Sequence, residues 1–439
     1  MATPSLLGRL RSLTRPAAWQ TESEPGAHQY LYGLRGTLAI SSILWIFFQT
    51  FVPTVVSGHT AGPPYQRVIR IVLSPVFWNE TLISSFFLAL SARSICIRFL
   101  NEPKPVAYAG SLIRRTIRLA ITVALASGIT MGIFKAIGTS YVDTFGEVLP
   151  NTSVSAPTTP NNALTALNAI FDMFWVVRSY YYQGLNSFWP SRTIWNVSLI
   201  YQQSWTVYFL MIILPYTRVS WHRQFLTIFA LGSWWMNSWG YYCASALLLA
   251  DYVVNPDLRK RLENGLNITA DRKLPHAVLP MAMLIVGFAM KYLWTVFPQH
   301  IDAELVLHPY LDLAENTSRA EFAAADPYPR LDNYLVIFGV LLLVETSSRL
   351  RNALSAKWLV YIGRRSLSLF VAQSIVFWTA GIKLFLYLHT SRGVSTALAN
   401  LAVFVTSTLT TLLFAELYYR TIDSPSQKIA GWAYSWLLR

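Results

Sequence analysis

Long apolar runs recur along the whole chain, and short polar segments rich in lysine and arginine separate them. Most runs approach the roughly 20 residues that an α-helix needs to cross the hydrocarbon core of a bilayer. The fifth and sixth runs are short and adjoin, so a re-entrant pair or one bent helix is the alternative there. The pattern predicts ten spans, at residues 37–56, 80–100, 113–137, 194–216, 224–239, 240–254, 276–297, 332–349, 358–388 and 394–418.

The composition agrees with an all-α polytopic membrane protein. Of the 439 residues, 54% are hydrophobic and only 13% are charged, whereas soluble domains carry about 25% charged residues. We therefore expect one transmembrane domain at 31–420, between a segment at 1–30 and a tail at 421–439. Because no apolar stretch precedes about residue 38, we expect no cleavable signal peptide.

The basic residues indicate how the chain is oriented. The net charge is +14, and segments such as "RFLNEPKPVAYAGSLIRRTIR" and "DLRKRLENGLNITADRK" carry much of the excess between apolar runs. Since basic loops stay in the cytosol, we expect both termini there, with long lumenal loops at about 140–192 and 298–331. Anionic lipid explains the charge better than nucleic acid does. The expected location is the endoplasmic reticulum or another endomembrane.

The lumenal side carries two further features. The loop at 140–192 contains "ALTALNAIFDMFWVVRSYYYQGLNSFW", whose apolar and aromatic density predicts an amphipathic helix that lies in the membrane interface or closes over a pocket. The sequons at Asn79, Asn151 and Asn316 also fall on this side, so we expect a glycoprotein. A fourth sequon, at Asn267, falls on the cytosolic side and would be unused.

Charged residues in or near the spans are candidates for function, because charge is costly inside a bilayer. Arg115 and Arg118 are three residues apart, so a helix places both guanidinium groups on one face. Together with Arg35 and with Arg93 or Arg98 they could hold the phosphates of a coenzyme A thioester, since arginine binds phosphate oxygens with two hydrogen bonds. The alternative is that these arginines only anchor helix ends at the cytosolic surface.

No motif identifies a nucleophile or a metal site. The sequence lacks the G-x-S-x-G, H-E-x-x-H and G-x-x-x-x-G-K-[ST] patterns. Their absence speaks against common hydrolases, zinc proteases and nucleoside triphosphatases. The two cysteines, Cys96 and Cys243, both lie in apolar segments and have no metal-ligand spacing. We therefore expect no metal and no permanently bound cofactor.

Six stretches stand out together, and in chain order they are "YGLRGTLAI", "SSFFLALSARSICIRFL", "SLIRRTIRLA", "IWNVSLIYQQSWTVYFL", "YIGRRSLSLFVAQSIVF" and "YRTIDSPSQKI". In this order they resemble the acyltransferase 3 family of integral membrane O-acyltransferases, in the style of its fungal secondary-metabolite branch. The resemblance covers most of residues 30–430. It implies an acyl-CoA co-substrate and arginines that hold its phosphates.

The chain departs from the family pattern at the proton-transfer positions. The histidine expected eleven residues after Arg35 is Ile46, the glutamate expected in the fourth span is Ile200, and a histidine of the serine-rich stretch is Gln373. Asp251 and Glu416 are substitute carboxylates near the cytosolic side, and His59 is a lumenal substitute. Alternatively an already acidic acceptor needs little base catalysis, with Gln373 and Gln49 donating hydrogen bonds.

The leading hypothesis is a membrane O-acyltransferase-like enzyme that moves an acyl group, first of all acetyl, from acyl-CoA to a hydroxyl of a lipophilic secondary metabolite. Arg35 and Gln373 would act at the reacting groups, and aromatic residues of "SWWMNSWGYY" and "RSYYYQ" would line the acceptor path or form an interfacial belt. One alternative is an isomerase or cyclase of polyketide or terpenoid biosynthesis that keeps this fold. Another is a transporter or non-catalytic partner of pathway enzymes.

Overall fold

The computed structural model describes residues 28–56, 62–101, 105–149, 151, 154–177, 179–255, 266–269, 272–301 and 327–438. Almost all of the regular structure in these ranges is helical. The exception is one antiparallel hairpin of two short strands, β1 (Leu266–Thr269) and β2 (Arg272–Leu274). The predicted all-α class is therefore confirmed apart from this hairpin.

The α-helices of the described residues, numbered along the chain, are α1 Gln29–Phe51, α2 Pro64–Phe77, α3 Glu80–Asn101, α4 Pro105–Ile137, α5 Ser140–Val148, α6 Ala163–Trp175, α7 Gly184–Phe188, α8 Trp195–Ile213, α9 His222–Trp235, α10 Gly240–Val254, α11 Val278–Val296, α12 Leu331–Thr346, α13 Ser348–Leu354, α14 Lys357–Arg364, α15 Ser366–Val376, α16 Ile382–Leu386, α17 Thr396–Tyr418 and α18 Ser424–Leu437. Short 3₁₀ segments lie at Pro53–Val55, Tyr180–Tyr182, Leu214–Tyr216 and Val219–Trp221. Single π-helical segments lie at Phe377–Gly381, Tyr387–Ser391 and Tyr419–Asp423.

Seven helical stretches of the described residues are long and apolar enough to cross a membrane. The number is eight if α12 and α13, which meet at 103°, form one bent span. The chain is thus a polytopic membrane protein, and the prediction of ten spans is not confirmed. The stretches are Gln29–Phe51, Pro64–Ile97, Val106–Ile137, Trp195–Tyr216, Val278–Val296, Ser366–Ser391 and Thr396–Leu437.

The predicted fifth and sixth spans are the helices α9 and α10, which have 14 and 15 residues. At 1.5 Å per residue each is about 21 to 23 Å long, shorter than a hydrocarbon core of about 30 Å. They pack side by side, so that Gly240 at the start of α10 lies against Ser233 and Phe229 of α9. One bent helix is therefore the wrong alternative, and the lengths favour a re-entrant pair.

Two helix boundaries differ from the prediction in a way that affects the arginines. α1 begins at Gln29 and α4 at Pro105, each eight residues before the apolar run predicted as a span. Arg35 thus lies within a helix and not ahead of it. The predicted C-terminal tail contains a helix, α18, which packs on α4. There the Tyr434 hydroxyl donates to the Val106 carbonyl at 2.6 Å.

Buried polar contacts hold the helices together at both ends of the bundle. At one end the Arg93 guanidinium contacts the Glu345 carboxylate at 2.9 Å. At the opposite end Lys291 donates to the Asn333 side chain at 2.6 Å and lies 3.4 Å from the Asp332 carboxylate. Since α3 and α12 both run from the second of these ends to the first, these contacts fix their parallel packing.

The closest helix contact joins α1 to the segment made of α13 and α14. A Cβ atom on Gly33 would come within 3.0 Å of the Leu354 carbonyl, and one on Gly363 would come equally close to the Tyr32 carbonyl. Only residues without a side chain permit this approach. The glycines therefore determine how near α14 lies to the first turns of α1.

We expect Gly363→Ala to lower the melting temperature of the protein in detergent by several degrees. The new Cβ would meet the Tyr32 backbone, and overpacking of this kind costs about 1–3 kcal/mol or more. The measurement is thermal unfolding followed by intrinsic fluorescence. Gly132→Ala on α4 is the matched control, because a Cβ added there would meet nothing within 4 Å. Equal melting temperatures for the two variants would contradict the close contact.

Candidate functional site

Three arginine side chains from two helices face one another at one end of the bundle. We name Arg35 of α1 and Arg115 and Arg118 of α4 the arginine cluster. Both α4 guanidinium groups lie within electrostatic reach of Arg35. The structure thus brings together three of the four arginines that the sequence singled out.

Small polar groups hold the Arg35 guanidinium in place. Its Nη2 atom donates to the Ser94 hydroxyl at 2.8 Å and to the Leu90 carbonyl at 3.3 Å, both on α3. The side chain remains partly exposed. These neutral partners fix the direction of the guanidinium group without neutralising its charge.

Arg115 is held in a similar way between α3 and α8. Its Nη2 atom donates to the Ser91 hydroxyl at 2.7 Å and to the Ile200 carbonyl at 3.5 Å. Its Nε atom is buried and has no hydrogen-bond partner. A donor left unsatisfied inside the bundle costs free energy unless a ligand or water completes its bonding.

Arg118 differs because it faces a carboxylate. Its Nε and Nη2 atoms donate to the two carboxylate oxygens of Asp423 at 2.9 and 3.1 Å. Asp423 is fully buried at the end of the π-helical segment after α17, whereas 35% of the Arg118 side chain remains exposed. The Ser426 hydroxyl donates to the Asp423 carbonyl at 2.8 Å and steadies this turn.

The cluster therefore carries an excess of positive charge. Among the described residues neither Arg35 nor Arg115 lies within ion-pair distance of a carboxylate, and Asp423 neutralises one charge of the three. Two uncompensated cations inside a helical bundle repel each other in a medium of low dielectric constant. An anion with several oxygen acceptors, such as a phosphate or pyrophosphate, would relieve both the repulsion and the unsatisfied donors.

Arg93 does not belong to this site. Its side chain is fully buried and pairs with Glu345 at 2.9 Å, and the Tyr30 hydroxyl donates to the other Glu345 oxygen at 2.8 Å. A guanidinium group enclosed in this way has no surface for a coenzyme. The structure speaks against the predicted binding role of Arg93 and makes it part of the packing between α1, α3 and α12.

A second polar group lies deeper along α1. The Gln373 side chain donates from Nε2 to the Ser42 hydroxyl at 2.6 Å, and its Oε1 atom is buried without a partner. Ser42 follows Arg35 by seven residues, which places it on the same helix face and about 10 Å further along the axis. Ile46, at the position of the expected histidine, is buried in an apolar cluster one turn beyond.

The substitute carboxylates lie away from this arrangement. Glu416 accepts hydrogen bonds from Arg365, from Arg420 at 2.6 Å and from the Tyr361 hydroxyl at 2.9 Å. Three donors occupy its oxygens, so it is unsuited to act as a base. Asp251, half-buried near the end of α10, faces the side chains of Arg223 and His222, not those of the arginine cluster.

The predicted lumenal features have mixed outcomes. Asn79 is half-buried and its side-chain oxygen caps the start of α3, accepting from Leu82 N at 2.9 Å, so a glycan there stays a prediction. The Asn151 amide nitrogen is buried and donates to the Gln49 and Thr50 carbonyls at 2.7 and 3.0 Å. This geometry speaks against a glycan on Asn151. Three further positions lie outside what is described: His59 and Asn316, and the side chain of Asn267.

The predicted amphipathic helix of the 140–192 loop corresponds to α6. One face of α6 packs on α8, where the Gln202 side chain donates to the Phe174 carbonyl at 2.5 Å. The opposite face exposes large apolar side chains at helical spacing: Leu164, Leu167, Phe171 and Trp175. Such a stripe is typical of a helix at a membrane surface.

The aromatic stretches do not act as one group. In "SWWMNSWGYY" the side chains of Trp239, Tyr241 and Tyr242 are buried, whereas Trp235 is exposed. The Tyr242 hydroxyl donates to the Arg330 carbonyl at 2.8 Å, which is a packing contact. These three buried rings belong to the core and not to an acceptor path.

Sequence reasoning missed the hydroxyl groups that hold the arginines and the carboxylate that pairs with Arg118. Ser91 and Ser94 are three residues apart in an apolar helix, a spacing that places both on one face. That spacing was the available signal. Asp423 stood out as a charged residue just after the last predicted span, but its pairing with Arg118, 305 residues away in sequence, had no local signal. Among the described residues no group of histidine, cysteine, aspartate and glutamate side chains could hold a metal ion.

Comparisons with known proteins give no match: no protein-family model, no curated protein and no solved structure is similar to this chain. The functional interpretation therefore depends on the residues of the site and on the sequence motifs.

We expect Glu345→Gln to destabilise the protein by about 3–5 kcal/mol, because it leaves the buried Arg93 charge without a counter-ion. Replacing both residues, Arg93→Leu with Glu345→Leu, should recover most of the loss. Melting temperatures in detergent would be compared for the wild type, for the single variants Glu345→Gln and Arg93→Leu, and for the double variant. A double variant as unstable as the worse single variant would contradict a purely structural pair.

Proposed function

We propose that this chain is a membrane-embedded O-acyltransferase-like enzyme that transfers an acyl group, first of all acetyl, from acyl-CoA to a hydroxyl of a lipophilic secondary metabolite. The observation that carries the proposal is the excess charge of the arginine cluster. Two accessible guanidinium groups without counter-ions favour an anionic ligand of high charge. The pyrophosphate of coenzyme A has that charge and offers several oxygen acceptors.

The polar groups further along α1 suit the reacting end of such a ligand. With the pyrophosphate at Arg35, Arg115 and Arg118, an extended thioester arm could reach the pair formed by Ser42 and Gln373. The unpartnered Gln373 Oε1 would accept a hydrogen bond from the acceptor hydroxyl, and the Ser42 hydroxyl could donate to the thioester carbonyl. Holding both reactants in a fixed mutual orientation would lower the entropic part of the barrier.

The reaction itself would be an acyl exchange. The acceptor oxygen attacks the thioester carbonyl carbon, a new carbon–oxygen bond forms, and the carbon–sulfur bond breaks. Coenzyme A leaves as the thiolate and takes up the proton that the acceptor hydroxyl releases. Because Ile46 stands where the family resemblance implies a histidine base, an acceptor with an acidic hydroxyl, such as an enol or phenol, fits this site best.

A second candidate is an isomerase or cyclase that retains the fold, and one observation favours it. The side chain of Ile46 is buried among apolar residues of α1, α15 and α17, and no proton-transfer group replaces it there. This candidate does not account for the charge excess of the arginine cluster. Absence of acyl-CoA binding would favour the isomerase or cyclase candidate. A transporter or a non-catalytic partner would likewise be indifferent to the cluster.

The test is binding of acetyl-CoA to the detergent-purified full-length protein by isothermal titration calorimetry. We expect saturable binding by the wild type and at least tenfold weaker binding by Arg115→Ala, the size of one lost charge-assisted hydrogen-bond pair. Arg420→Ala is the control, because Arg420 is exposed and pairs with Glu416. Absence of binding by wild-type protein shown to be folded would refute the proposal.

Arg35→Lys separates a specific contact from a surface anchor. Lysine keeps the charge but lacks the planar fork that reaches two acceptors at once. We expect acetyl-CoA affinity to fall several-fold while the melting temperature stays within a few degrees of that of the wild type. Unchanged affinity would make Arg35 an anchor of the helix end and remove it from the site.

A further inference from the structure

One aromatic ring contacts both the arginine cluster and a further exposed cation. The Cζ atom of Arg35 lies 5.8 Å from the centroid of the Tyr32 ring, and the Cζ atom of Arg364 lies 5.6 Å from the same centroid. The two distances add to 11.4 Å, which is the upper limit for the separation of the two guanidinium carbons. Both contacts are within the range of cation–π attraction.

The position of Arg364 follows from the glycine contact between α1 and α14. Gly363 touches the Tyr32 backbone so closely that no side chain fits between them. The next residue, Arg364, is the last of α14 and therefore emerges beside the Tyr32 ring. Its position beside Tyr32 is fixed by this packing and does not depend on a flexible loop.

Arg364 differs from its neighbour in how its charge is balanced. Arg365 pairs with the Glu416 carboxylate and stacks on Tyr361, with its Cζ atom 3.6 Å from the ring centroid. Arg364 is exposed, and among the described residues it has no ion pair. The charge excess thus extends from the partly buried cluster to the exposed Arg364, and Arg35 and Arg364 both contact the Tyr32 ring.

We propose that Tyr32 and Arg364 form an outer subsite for a second phosphate group, separate from the group at the arginine cluster. The ligand class would be a nucleotide thioester that carries a phosphate monoester on its ribose besides its pyrophosphate. Coenzyme A has that arrangement, and its 3′-dephospho form lacks the monoester. The inference depends on the proposed function, because it assigns a different part of the same ligand to a different arginine.

An anionic lipid headgroup has the same phosphate chemistry and could also approach an exposed arginine. A headgroup would contact Arg364 without any requirement for the inner cluster. The 3′-phosphate of the coenzyme, in contrast, would contact Arg364 only when the pyrophosphate of the same molecule is bound at the arginine cluster. The two sources therefore differ in whether the effect of Arg364 depends on the 3′-phosphate of a soluble ligand.

The experiment compares acetyl-CoA with acetyl-3′-dephospho-CoA by calorimetry on the full-length protein in lipid-free detergent. The variants are Arg364→Ala and Arg364→Lys. Arg392→Ala is the matched control, since Arg392 also lies over a tyrosine ring, with its Cζ atom 5.2 Å from the centroid of Tyr387. Tyr387 lies two residues after Phe385, whose ring packs on that of Phe51 at the opposite end of α1. Arg392 is therefore remote from the arginine cluster.

We expect the wild type and Arg392→Ala to bind acetyl-CoA roughly tenfold more tightly than the dephospho form, as one charge-assisted contact predicts. In Arg364→Ala the two ligands should bind equally, and Arg364→Lys should retain part of the preference. A preference that survives in Arg364→Ala would overturn the outer subsite while leaving the proposed function intact. Absence of all binding by the wild type would overturn both.

A lipid measurement covers the other source. Binding of phosphatidic acid to the detergent-purified protein would be measured by native mass spectrometry for the wild type and Arg364→Ala. Equal lipid binding by the two proteins, together with the lost 3′-phosphate preference, supports the coenzyme subsite. Reduced lipid binding by Arg364→Ala with an unchanged preference between the two coenzymes would assign Arg364 to lipid and overturn the inference.

Discussion

The cost of placing charge inside an apolar helical bundle governs this structure. Most charges within it are compensated at short range: Arg93 pairs with Glu345 at 2.9 Å, and Lys291 lies 3.4 Å from Asp332. These pairs connect helices that are distant in sequence, so they also fix which helices are neighbours. Arg35 is an exception, because serine and carbonyl groups orient it without cancelling its charge. An uncompensated charge is costly inside such a bundle, which makes Arg35 a candidate for function.

A second constraint acts on the backbone and decides which residues lie beside the arginine cluster. Glycine contacts let α14 approach the first turns of α1 within a distance that no side chain permits. This approach places Tyr32 beside Arg364 and keeps Arg35 near the rim. The contact is local and steric, yet its effect is electrostatic, because it adds an exposed cation to a charge excess that lies further in. Packing and the proposed ligand recognition thus depend on the same few residues.

The site combines strong anion-holding groups with weak proton-transfer groups. Gln373 and Ser42 can donate and accept hydrogen bonds, but neither removes a proton at neutral pH. Glu416 is held by Arg365 and Arg420. An enzyme with this inventory would use binding energy and orientation more than acid–base catalysis. It would favour an acceptor that ionises readily, which limits the choice of substrates to be tried first.

The sequence by itself determined the helical membrane class, the amphipathic helix α6 and the pairing of Arg115 with Arg118 on one face. These depend on apolar runs and on helical spacing, both of which are local. Only the tertiary structure decided that Arg93 is buried against Glu345 and that Asp423 faces Arg118, because these partners are 252 and 305 residues apart. Hydropathy also misplaced the starts of α1 and α4, since it detects where a helix meets lipid and not where its hydrogen bonds begin.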